Sequence, residues 1–201
     1  VKASSKIWVN SPVLKVEKTT DKPFYKYGDI ITYRIVLTQE QTGCVARNVT
    51  LQDVIDTQGV RLLKDSVILM DEKGNVADAD VQINDDNTFL MSTGRTLVRD
   101  SRYSICDNDK GGLFEQVMYN PLDCQEQKSM IVEYQAAVID AALAGQKVHN
   151  TAVADSSEKI PATGETETEV HSPILEIVKE SDKKEYAPGE KGYYKLTVRQ
   201  L

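Results

Sequence analysis

Residues 11–33 read SPVLKVEKTTDKPFYKYGDIITY, and residues 172–194 read SPILEIVKESDKKEYAPGEKGYY. From 11 to 172 the offset is 161 residues, and the alignment runs without a gap to Gln200. Pro12/Pro173, Leu14/Leu175, Lys18/Lys179, Asp21/Asp182, Tyr25/Tyr186, Gly28/Gly189, Tyr33/Tyr194 and Gln39/Gln200 are identical pairs. A fixed internal period is the mark of an array of like modules. The 201 residues therefore divide into three parts: the end of a preceding module or a linker at 1–10, a complete module at 11–172, and the start of a further module at 173–201. A unit of about 160 residues is long enough to bury a core of its own.

Working outward from the repeated stretch, strand patterns dominate. Leu14, Val16 and Lys18 alternate with Val13, Lys15 and Glu17, the period of a half-buried strand. Ile31, Tyr33, Ile35 and Leu37 share one face of a second, longer strand. Val49, Leu51, Asp53 and Ile55 form the inward face of a third. Residues 66–70, 81–83, 89–91 and 96–98 read as shorter strands between turns. A strand at 130–139 puts Val132, Tyr134, Ala136 and Val138 on one face, and one at 147–154 does the same with Val148, Asn150 and Ala152. Residues 141–145 read as a short connection with one helical turn. Residues 156–165 read as a loop, with 166–170 leading into the next module. The polar stretch 102–127 reads as a long excursion. Many short strands with regular turns predict an all-β, immunoglobulin-like antiparallel β-sandwich.

Composition narrows the function classes. The chain has 24 Lys and Arg against 31 Asp and Glu, a net charge of −7. This argues against nucleic acid or an anionic membrane as partner. No apolar run approaches the roughly 20 residues that span a bilayer. The opening VKASSKIWVN has no apolar segment of the signal-peptide kind, so this reading places any export signal or anchor outside these residues. The three cysteines, Cys44, Cys106 and Cys124, show no CxxC spacing, which argues against zinc. No cofactor is expected.

Taken together, PVLKVEK at 12–18, YGDIITYRIVLTQ at 27–39, ARNVTLQDVID at 46–56 and VHNTAVA at 148–154 resemble the repeat modules of Gram-positive cell-surface proteins. Those modules are immunoglobulin-like sandwiches, similar to the isopeptide-forming domains of pilins and collagen-adhesin-type proteins. The resemblance covers 11–172 as a unit and 173–201 as the start of another. The chain departs from the family pattern in its cysteines and in the 102–127 excursion. The resemblance implies an extracellular, cell-wall location. It also implies that a first-strand lysine joins an asparagine of the last strand with help from an acid, roles that fall on Lys18, Asn150 and Asp53. An extracellular setting permits a disulfide between Cys106 and Cys124, which flank the excursion, leaving Cys44 free.

Strand parity reaches the same three residues independently. Lys18, Asp53 and Asn150 each sit on the apolar face of a strand, and three unpaired polar groups in one core would be costly. Burial lowers the pKa of a lysine and raises that of a carboxyl. A neutral amine is a nucleophile, and a protonated Asp53 can polarise the Asn150 carbonyl. Attack with loss of ammonia leaves a Lys–Asn amide. The plainer alternative is a partly buried Lys18–Asp53 ion pair with Asn150 capping a strand or turn. Lys15 and Glu133 are the fallback pair, on the opposite parity.

Other motifs carry less. The 107–112 turn, DNDKGG, resembles half a calcium loop but has Met118 where the bidentate acid belongs, so it reads as an acidic turn. The 160–164 pentapeptide, IPATG, resembles a sortase signal, yet a further module follows it rather than an apolar tail and basic end. It reads as a hairpin loop. His149 and His171 have no GxSxG motif or neighbouring cysteine, so a hydrolase triad is unsupported. The expectation is a non-enzymatic stalk module, partnered by its neighbouring modules. The alternative is an adhesin module that recognises a host protein or glycan through 102–127.

Overall fold

The computed structural model describes residues 11–41, 44–99, 127–171 and 175–200. The excursion up to residue 126 lies outside them, and with it Cys106, Cys124 and the 107–112 turn. Residues 1–10 lie outside as well.

The strands form where branched and aromatic residues alternate with polar ones, and two six-stranded sheets result. In the first, β1 (Leu14–Thr20) pairs antiparallel with β3 (Ile30–Gln39), setting Lys18 opposite Ile35. The other edge of β3 takes β12 (Ser129–Val138), with Tyr134 opposite Tyr33. β6 (Val60–Leu62) and β7 (Ile68–Asp71) pair with successive parts of β12, and β8 (Val76–Ala77) closes that edge.

The second sheet runs in the order β2 (Phe24–Tyr25), β14 (Ala162–Val170), β13 (Lys147–Asp155), β5 (Thr50–Ile55), β10 (Thr88–Ser92) and β9 (Asp80–Ile83). Within this sheet, among the described residues, only the β2–β14 pairing is parallel. A minor pair, β4 (Val45–Ala46) with β11 (Leu97–Val98), flanks the sandwich. The expected helical turn is a 3-10 turn at Ala141–Leu143, capped by the Asp140 side chain on the Ala142 N–H.

The core lies between the sheets. Ile31, Tyr33, Ile35 and Leu37 of β3 meet Leu51 and Ile55 of β5 and Val148 and Ala152 of β13 across a cluster of buried side chains. Each fully buried aliphatic side chain contributes about 1.5–3 kcal/mol relative to exposure.

Two expectations need correction. Residues 156–165 are not all loop: β14 begins at Ala162, and residues 162–170 belong to this sandwich, paired with β13 from Ala154↔Ala162 to Lys147↔Glu169. Asn150 therefore sits on the penultimate strand. The 66–70 strand begins two residues late, after a 3-10 turn at Lys64–Ser66.

The internal repeat is reproduced in hydrogen bonds. β15 (Leu175–Ser181) and β16 (Tyr194–Gln200) form a hairpin with Lys179 opposite Leu196, the register of Lys18 and Ile35. The Tyr25 hydroxyl donates to Asp21, and the Tyr186 hydroxyl donates to Asp182. Asp21 Oδ1 accepts the Thr32 N–H at 2.7 Å, and Asp182 Oδ1 accepts the Tyr193 N–H at 3.0 Å. Gly28 and Gly189 occupy the left-handed region at φ 87° and 88°, where a side chain would be strained.

Candidate functional site

Four strands aim polar groups into one point of the core. β1 carries Lys18 inward behind Leu14 and Val16, and β5 carries Asp53 inward between Leu51 and Ile55. β13 carries Asn150 between Val148 and Ala152, and β12 carries Tyr134 between Val132 and Ala136. Sheet register completes the meeting: Ala152 lies opposite Asp53, which places Asn150 one inward position along.

The side chains of Lys18 and Asp53 are both 0% exposed. Lys18 Nζ donates to Asp53 Oδ2 and, at 2.6 Å, to Asn150 Oδ1. The Tyr134 hydroxyl donates to Asp53 Oδ1 at 2.6 Å and accepts from Asn150 Nδ2 at 2.6 Å. Aromatic rings wall the cluster. Tyr33 and Tyr134 stack with centroids 5.0 Å apart, and Phe89 meets Tyr134 edge-on at 5.1 Å. Lys18 Nζ lies 5.4 Å from the Tyr33 centroid and 5.5 Å from that of Tyr134.

This environment disfavours charge. Burial lowers the Lys18 pKa to about 8, against the opposing pull of Asp53. Burial raises that of Asp53, against Lys18 and the hydrogen bonds from Tyr134 and Asn150. Both directions favour a neutral amine beside a protonated acid, because desolvation penalises each ion. Burial and the nearby Asp53 charge hold Tyr134 well above the ordinary phenol range, so its hydroxyl stays protonated. An amine, an amide carbonyl and an acid in contact, buried from bulk solvent, are the reactants of amide exchange.

The sequence reading named Lys18, Asp53 and Asn150, and the structure brings all three together. In the sequence Tyr134 reads as a core residue alone. Its signal was the hydroxyl itself, since a buried tyrosine O–H needs a partner. The fallback residues stay apart from the site. Lys15 pairs with Glu17 at 2.6 Å on the surface, and Glu133 pairs with Arg34. His149 faces Glu167 at 3.4 Å on the exposed side, and His171 stacks on Phe24 with centroids 4.5 Å apart. Cys44 is a buried free thiol. Among the described residues no group of His, Cys, Asp and Glu could hold a metal ion, and no helix is long and apolar enough to cross a membrane.

No family model and no curated protein matches the chain. Solved structures do. A form of the major pilin subunit of Bacillus cereus matches over 94% of this chain and 55% of its own, at 11% identity and TM-score 0.50. The chain shares the all-β sandwich fold of that pilin subunit. The T6 backbone pilin of serotype M6 Streptococcus pyogenes matches over 80% of this chain and 36% of its own, at 14% identity and TM-score 0.48. The collagen-binding domain of a Staphylococcus aureus adhesin matches over 77% of this chain and all of its own, at 13% identity and TM-score 0.41. The chain thus spans 36% of the streptococcal pilin's length and 55% of the Bacillus pilin's.

Proposed function

We propose that residues 11–172 are a stalk module of a cell-wall-anchored or pilus-like extracellular surface protein, stabilised by a Lys18–Asn150 amide that forms without an enzyme or cofactor. The observation that carries this reading is the fully buried contact of Lys18 Nζ with Asn150 Oδ1 at 2.6 Å, beside Asp53. A lysine buried for packing alone would not be matched to an amide and an acid at once. The partners of the module are its neighbours in the chain, and residues 173–201 begin the next one.

The tie would join β1 to β13, and β13 is hydrogen-bonded to the outgoing strand β14 along most of its length. Tension applied at the two ends of the sandwich would reach Lys18 and Asn150 before it reached the 132-residue interval between them. By the chain-entropy relation for cross-links, a loop of that size contributes about 5 kcal/mol. Pulling the chain by its ends in a force spectrometer tests the reading. The native chain should extend only by the residues outside 18–150, and Asp53→Ala should release the whole module. Full extension of the native chain would overturn it.

A further inference from the structure

Resting on that amide reading, we propose that Tyr134 is a catalytic residue of the cross-link, carrying a proton from Asp53 to the departing nitrogen of Asn150. The geometry separates two tasks on the two oxygens of one carboxyl. Asp53 Oδ2 faces Lys18 Nζ, the nitrogen that must lose a proton. Asp53 Oδ1 faces the Tyr134 hydroxyl at 2.6 Å, and that hydroxyl faces Asn150 Nδ2, the nitrogen that must gain one, at 2.6 Å. The site is closed to solvent, with Asn150 1% exposed and Tyr134 1% exposed. Water is therefore a poor source of the proton that makes ammonia a leaving group.

The steps balance with the groups present. Neutral Lys18 Nζ attacks Asn150 Cγ beside protonated Asp53, and the carbonyl electrons move to Oδ1. Attack leaves Nδ2 a tetrahedral amine with a lone pair, so the Tyr134 O–H, which donates to Asp53 Oδ1 beforehand, turns to Nδ2. Tyr134 then passes its proton to Nδ2 as its oxygen takes the proton of Asp53 from Oδ1. Asp53 Oδ2 takes a proton from Nζ. The Cγ–Nδ2 bond breaks as the carbonyl re-forms, and ammonia departs. The Lys–Asn amide, the neutral tyrosine and the protonated acid remain. Before attack, the same hydroxyl accepts the Nδ2–H and so turns the amide with Oδ1 toward Lys18.

The test follows the intact mass of the newly synthesised 201-residue chain with time. Tyr134→Phe removes the relay. Tyr134→4-fluorophenylalanine removes it while filling the space of the hydroxyl, and Tyr134→3-fluorotyrosine keeps it. Lys18→Ala gives the melting curve of a folded, unlinked reference. We expect the native chain and the 3-fluorotyrosine form to lose one ammonia together. The other two forms should melt like the reference but convert about 100-fold more slowly, the lower end of general acid–base contributions. Conversion of the 4-fluorophenylalanine form at the native rate would overturn the relay and leave the amide reading standing. A native chain that never loses ammonia would overturn both.

Discussion

Lys18 shows how far a single position can be read. Its parity with Leu14 and Val16 put it in the core from the sequence, and the structure buries its side chain fully beside Asp53. Strand parity could not find the bridge made by Tyr134, because contact between its hydroxyl and Asn150 depends on how the two sheets face each other. A tyrosine on an apolar face reads first as packing. The Lys18 environment has a pH consequence that can be measured when the cross-link is blocked. In Asn150→Ala, Lys18 keeps Asp53 as its neighbour. Its folded pKa of about 8 lies below the ordinary 10.5, so between those values the unfolded chain holds more protons. Stability should therefore rise with pH across that window, by about 3 kcal/mol in all, and fall away as pH drops toward 8. Denaturant melts of Asn150→Ala, compared with Asn150→Ala/Lys18→Met, isolate the effect. A flat difference between the two would contradict the burial account.

At the scale of elements, β14 was the strand the sequence hid. Its stretch ATGETETEV turns Gly164, Thr168 and Val170 inward, so small and polar residues take positions that an apolar alternation would mark as strand. Gly164 is there for closeness. A Cβ built on it would lie 2.6 Å from Val16 Cγ1 and 2.7 Å from the Val16 carbonyl oxygen. This is where β1, the edge strand of the first sheet, passes β14 of the second. Gly164→Val should therefore destabilise by about 1–3 kcal/mol, the usual cost of overpacking. The measurement is a denaturant melt in a Lys18→Ala background, so that no covalent tie masks the loss. Unchanged stability would show that β14 does not hold β1 at this distance. The longer strands were legible because both faces of β3, β5 and β12 follow the two-residue period.

Across the whole molecule, the 161-residue offset organises two copies of one hairpin in different surroundings. Leu14, Val16, Ile35 and Leu37 are buried, while their counterparts Leu175, Ile177, Leu196 and Val198 are 60–65% exposed. Lys179 Nζ lies 4.4 Å from the Tyr194 ring centroid, as Lys18 lies over Tyr33, but its strand is exposed. An amine-reactive label applied to the native chain should modify Lys179 and spare Lys18, and equal labelling of both would contradict the difference in burial. The central claim is covalent, and intact mass tests it most directly. Once any hydrogens lost to disulfides are counted, the folded chain should weigh one ammonia less than its sequence, with Lys18 and Asn150 recovered in one joined tryptic peptide. Asp53→Ala should restore the full mass while the fold persists. A folded native chain at its full sequence mass, with the Lys18 and Asn150 peptides recovered separately, would contradict the account.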